Sequence, residues 1–161
     1  GHVGPVYARM LRREVPRWFD PATYRFRIGC GVPLREGHDV LLCTTGIMLR
    51  STIEAADQLA GQGVSAAVLH LPTIKPLDEE AILERAEGVR GVVTAENHLV
   101  AGGLGGAVAE LLSERMPRQL ARIGVRDVFA CPGSPEYLFE RYELTANAIV
   151  AAALRVLQGQ V

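Results

Sequence analysis

Positive charge is not in excess in this sequence: 17 lysines and arginines stand against 18 aspartates and glutamates, for a net charge of -1. That leaves no basic footprint for nucleic acid. Long apolar runs are also missing. The longest, such as residues 148–154, fall well short of the roughly 20 residues that cross a bilayer, so no membrane partner is expected. No charged segment followed by an apolar one opens the chain, so there is no sign of export and a cytoplasmic location is expected. Cysteine is scarce. Cys30, Cys43 and Cys131 show neither a CxxC pair nor Cys/His ligand spacing, which fits a reducing compartment and argues against a metal site. All three read as buried or inert. Catalytic pairs are lacking as well: Asp39 and Asp127 have no carboxylate partner in the pattern, and Ser134 lacks a glycine-flanked elbow.

What remains is ordinary globular composition, 48% hydrophobic and 22% charged over 161 residues, enough for one domain with a real core. Residues 39–46 form a short apolar run closed by glycine, and 47–60 carry Leu49, Ile53, Ala56 and Ala60 at helical spacing. Gly61 and Gly63 stop that helix, and 64–71 read as a strand buried on both faces. Asp78, Glu79 and Glu80 open a second helix that ends near Gly88, their carboxylates favoured by the macrodipole. A third strand covers 91–96, a third helix 103–115 and a fourth strand 119–125. Ser134 and Pro135 start one further helix, and Thr145 caps a last one to about Leu157. This alternation predicts an α/β fold: a three-layer α/β/α sandwich with a mostly parallel, roughly five-stranded sheet, from about residue 27 onward. Residues 1–26 stand outside it, with a strand expected at 3–9 and then a proline-rich connector. They read as the end of an upstream unit, and the start at Gly1 as a piece of something longer. His2 and His38 are expected at the surface, and His70 as a satisfied histidine at a strand end.

The stretch TAENHLVAGGLGGAVAE, residues 94–110, poses a choice between a phosphate cradle and a packing device. Its glycines miss the dinucleotide fingerprint, because Val108 stands where the third glycine belongs and arginines dominate the region where an acidic ribose ligand is expected. Glycines at a helix start instead allow close approach of another backbone, as a tight helix-on-sheet or subunit contact needs. Glu96, Asn97 and His98 lie beyond the carboxyl end of a parallel strand, where ligand crevices form. With Gly102 and Gly103 they are candidates for a crevice or interface, and polar capping of the helix start is the alternative.

LPTIKPLDEEAI (71–82), VVTAENHLVAGGLGGAVAE (92–110) and GSPEYLFERYELTANAIVAAA (133–153) together resemble the C-terminal domain of transketolases, most closely those encoded as separate N- and C-terminal subunits. The resemblance implies that residues 1–26 are the end of a pyrimidine-binding domain plus linker and that 27–161 are the C-terminal domain. It implies a role in transferring a two-carbon ketol unit between sugar phosphates, in pentose phosphate or related carbohydrate metabolism. It also implies a homodimer held partly by this domain, and an N-terminal domain or subunit as partner. Thiamine diphosphate and Mg2+ would belong to the parent enzyme. Their GDG motif and activating glutamate are not in these residues, so none is expected bound here and no residue here is catalytic. Arg12, four residues before Pro16, matches the arginine that holds the substrate phosphate. Deoxyxylulose-phosphate synthases and the β subunits of 2-oxo acid dehydrogenases share the domain and are alternatives, as is a non-catalytic assembly module.

Overall fold

The chain is described here from a computed structural model that places residues 2–11 and 14–160. A run such as Val40–Thr44 can be buried along its whole length only between two covering layers, and that is how strand β2 sits. Its side chains alternate. Val40 and Leu42 join an apolar cluster on one face with α1 (Met48–Ala60) and α5 (Ala146–Leu157), through Met48, Leu59, Ile149 and Ala153. Leu41 and Cys43 join a second cluster on the other face with α2 (Glu79–Glu87) and α3 (Leu104–Arg115), through Ile82, Leu104, Val108 and Leu112. The same alternation continues along β3 (Ala66–His70) and β4 (Gly91–Leu99), giving the three layers expected.

The sheet order is β1-β3-β2-β4-β5, with β1 spanning Val32–Arg35 and β5 spanning Gln119–Val125. All neighbours run parallel except β1, which lies antiparallel to β3 at the edge with an irregularity between Pro33 and Arg35. Proline lacks a ladder donor, so an edge position suits it.

The helix starts follow local rules. Asp78 accepts from Ala81 N–H at the start of α2 and, with its other oxygen, from Gly31 N–H at 2.6 Å, tying the approach to β1 to the helix. Ser134 caps α4 (Pro135–Arg141) and Thr145 caps α5. Residues 3–9 form no strand, contrary to the sequence expectation, and are exposed throughout. A strand needs a neighbour to take its N–H and C=O groups, and among the described residues no strand pairs with this run. The connector is nonetheless pinned: Phe19 stacks on Tyr24 at 4.4 Å and its ring lies 5.9 Å from that of His70.

Ile149 is fully buried at the centre of the first cluster. Ile149→Ala is expected to destabilise the domain by about 2–5 kcal/mol in denaturant unfolding, the usual cost of a core cavity.

Candidate functional site

The glycine-rich turn and the end of β4 form one unit. Gly103, the residue before α3, has no side chain to satisfy the first helical N–H groups. Glu96 supplies the acceptor instead. Its Oε2 accepts from Leu104 N–H at 2.8 Å and its Oε1 from Gly105 N–H at 2.7 Å, and the side chain is wholly buried. A buried carboxylate is costly unless its oxygens are bonded. Two charge-assisted bonds and the positive end of the α3 dipole provide that compensation. A Cβ on Gly103 would overlap Glu96 Oε2, and one on Gly105 would come within 3.0 Å of Oε1 and 2.9 Å of Thr94 Oγ1 and Arg122 Cδ. Gly102 makes the preceding turn at φ 72°. The glycines therefore do allow a close approach, and the partner is the chain's own carboxylate.

Beyond Glu96 the strand surfaces. Asn97, His98 and Leu99 line a cavity of about 330 Å³ with Tyr7 and Arg9 from the N-terminal run, Val125 at the end of β5, and Val128 and Ala130 after it. It lies where ligand crevices of parallel sheets form. The candidates thus divide: Glu96 and Gly103 are buried in the helix joint, Gly102 is an exposed turn, and Asn97 and His98 face the cavity. His98 Nδ1 lies 3.0 Å from the Leu99 carbonyl. Arg12 falls outside the described residues. Tyr7 and Arg9 were not singled out in the sequence, because nothing in a linker's composition tells which of its residues will fold back onto a distant strand end.

The cavity offers an amide, an imidazole, a phenol and a guanidinium, which can bind a polar or anionic group. It brings together no nucleophile with a base. The titratable groups with displaced pKa values lie off its lining. Burial pushes the Cys43 thiol up to about 12, opposed by the positive charge of Arg85. Burial lowers His70, opposed by a hydrogen bond with the Thr44 backbone. Its Nδ1 has no partner, so this histidine is less satisfied than expected. Cys131 is lowered chiefly by its hydrogen bond with the Tyr142 hydroxyl, and Cys30 is exposed. Of the three cysteines read as buried or inert, Cys43 is buried, Cys30 is exposed, and Cys131 departs from the expectation because it stands beside a phenol that stabilises its thiolate.

The described residues do not fit a metal-bound diphosphate. No three His, Cys, Asp or Glu side chains among them are grouped to hold a metal ion. The glycine-rich helix start that could face an anion is already filled by Glu96. Among the described residues, no helix is long and apolar enough to cross a membrane.

This combination of sheet order, capped helix start and crevice position defines an α/β domain of the kind the sequence suggested, and residues 29–149 match the family model for the transketolase C-terminal domain; the chain belongs to that family. It is 50% identical over 157 residues to the 6-deoxy-6-sulfo-D-fructose transketolase subunit SqwH of Clostridium sp. (strain MSTE9), covering 98% of this chain and 48% of that protein. It is 39% identical over 152 residues to a 1-deoxy-D-xylulose-5-phosphate synthase of Caldanaerobacter subterraneus subsp. tengcongensis, covering 94% of this chain and 24% of that protein. A solved structure described as a split gene transketolase, inactive beta4 tetramer, matches with a TM-score of 0.86 and 44% identity over 91% of this chain and 48% of that one. The chain thus spans about half the length of these transketolase relatives.

Glu96→Gln is expected to destabilise the domain by about 1–3 kcal/mol, because an amide NH2 then faces a buried backbone donor. Urea unfolding of the variant, with Gly103→Ala expected to fall at least as far, checks this; an unchanged midpoint would remove Glu96 from its structural role. For His70 the sign is opposite to that of a salt-bridged histidine. Its folded pKa lies below the ordinary 6.5, so its contribution is fully present above that pH and is lost as pH falls through it. The His70→Gln variant should flatten the thermal stability profile between pH 7.5 and 5.5, where this one group can contribute a slope of up to about 1.4 kcal/mol per pH unit.

Proposed function

We propose that this chain is the C-terminal portion of a split transketolase-like enzyme, which moves a two-carbon ketol unit between sugars bearing a phosphate or sulfonate group. Likeness over 98% of the chain to the transketolase subunit SqwH carries this reading. The geometry supports the division of labour. With its anion-facing helix start closed by Glu96 and no metal-holding cluster among the described residues, the domain leaves thiamine diphosphate and Mg2+ to residues outside this chain. Residues 1–26 act as the end of a pyrimidine-binding domain plus linker, and residues 27–161 as an assembly domain in a cytoplasmic homodimer that also engages an N-terminal subunit. Asn97 and His98 contribute to the contact between the linker and this domain. Arg12 holds the anionic end of the substrate, for which a planar, permanently charged guanidinium is suited.

The test combines the full-length protein containing this chain with its N-terminal partner, thiamine diphosphate and Mg2+, and measures ketol transfer from phosphorylated and sulfonated ketoses. Activity is expected with both components and not with either alone. Full activity of the N-terminal partner by itself would overturn the reading, and formation of 1-deoxy-D-xylulose 5-phosphate in the same mixture would favour the synthase relatives. Arg12→Ala should raise KM for the anionic substrate by about 10–100-fold, the worth of hydrogen bonds to a charged group. An unchanged KM would remove Arg12 from the site.

A further inference from the structure

The connector meets the domain through a small aromatic clip. Residues 14–28 are all exposed except Phe19 and Tyr24, which are half-buried. Local bonds make those two a unit. The Asp20 carbonyl accepts from Thr23 N–H at 3.1 Å and from Tyr24 N–H at 2.8 Å, and the Asp20 carboxylate accepts from Ala22 N–H at 2.8 Å. Arg25 braces the turn by donating to the carbonyls of Pro21 and Tyr24. The turn folds Tyr24 back onto Phe19, where the rings stack at 4.4 Å, and the Phe19 ring stands 5.9 Å from that of His70.

The histidine under this clip suits contact only while it is neutral. His70 is 7% exposed, ends β3 between Val32 of β1 and Thr44 of β2, and keeps its Nδ1 buried without a partner among the described residues. A neutral imidazole can leave that nitrogen without a proton; an imidazolium has two N–H donors, and one of them would then be buried unpaired. The surroundings supply no counter-charge. Val32 is apolar, Thr44 contributes its backbone, and the first turn of α1 holds no acidic residue, while its Arg50 is paired with Glu54. In the connector Asp20 is taken up by Ala22 N–H, and after β3 Lys75 is a cation and Asp78 is taken up by Gly31 and Ala81 N–H. Burial, opposed by the Thr44 hydrogen bond, lowers the pKa of His70, and no charged group contributes. An aromatic face attracts a cation, but at a half-exposed ring by less than an unpaired buried donor costs. Lifting Phe19 admits water, which is the acceptor a charged His70 needs.

We propose that the contact between Phe19 and His70 is a pH-sensitive latch: neutral His70 keeps the Phe19 and Tyr24 clip on the end of β3, and protonated His70 releases it. Gly29 stays fixed through its N–H, which donates to Thr73 Oγ1 at 2.9 Å. Release therefore frees residues 14–28, and with them the direction in which the preceding chain leaves the domain. His70 titrates below the ordinary 6.5 when covered, so docking is fully present above that pH and weakens as pH falls below it. The latch is a property of this chain and does not depend on which reaction the parent protein performs.

Fluorine NMR of the full-length protein carrying fluorotryptophan tests this, because Trp18 adjoins Phe19 and its resonance is identified by its loss in Trp18→Phe. Between pH 7.5 and 5.5 that resonance should move toward the position it holds at every pH in Phe19→Ala, while the far-UV circular dichroism stays constant. The ratio of docked to released connector should fall by up to about tenfold per pH unit, the limit for one linked proton. In His70→Gln the resonance should not move with pH. Linkage also runs the other way. In Phe19→Ala, a change outside both core clusters, the imidazole of His70 should titrate closer to the ordinary 6.5. A wild-type resonance that stays fixed, an equal movement in His70→Gln, or an unchanged His70 titration in Phe19→Ala overturns the proposal. Movement that accompanies a loss of circular dichroism also overturns it, because unfolding of the whole domain then accounts for the change.

Discussion

Everything near the carboxyl end of the central strands is arranged around one buried carboxylate on one helix start. Glu96 ends the fully buried stretch of β4, and its two oxygens close the first turn of α3. The side chain sets how near the helix must come, and the nearness in turn requires that Gly103 and Gly105 have no side chains. It also fixes where β4 emerges, so that Asn97 and His98 reach the surface at a defined place beside Val125. Without an internal acceptor, a helix pressed this closely on a sheet would bury unpaired donors, each costing about 1–3 kcal/mol.

The same joint explains how a fold that commonly binds nucleotides is turned to another use. Parallel sheets put their crevices where strands end and helices begin, and free N–H groups there attract phosphates. Here those groups are taken within the chain, and the surface beside them is made of an amide, an imidazole and apolar rim residues. Such a surface is suited to holding a neighbouring segment in place. The connector follows that logic at a second point, where Phe19 lies against His70 at the end of β3.

Most of the architecture was legible in the sequence because its signals are local. Hydrophobic runs of strand length between glycines, carboxylates at a helix start and the Thr145 cap each act over a few residues, and the elements fall within a residue or two of where those signals put them, except that β4 runs three residues past the expected 96 and takes in Asn97 and His98. β1 escaped notice because four residues with a proline give no periodic signal, and its pairing with β3 is decided by residues more than 30 positions away. The strand expected at 3–9 failed for the converse reason: its composition suits a strand, but among the described residues no strand pairs with it. At the glycine stretch, spacing was enough to exclude a dinucleotide fingerprint. It could not show that Glu96 folds back over a turn to fill the helix start, nor that Tyr7 and Arg9 meet Asn97 and His98, because those pairings exist only in three dimensions.

The strict alternation along β2 has a consequence for how the molecule tolerates change. Val40 and Leu42 belong to one apolar cluster and Leu41 and Cys43 to the other. The backbone of the sheet stands between them as an insulating partition, and side chains on its two faces share no packing neighbours. Coupling between substitutions is strong among residues in contact and fades beyond about 7–10 Å. The two halves of the core are therefore free to drift separately in sequence, each repacking within its own compartment, while the face carrying α3 stays bound to the shape of Glu96 and the face carrying α1 and α5 does not.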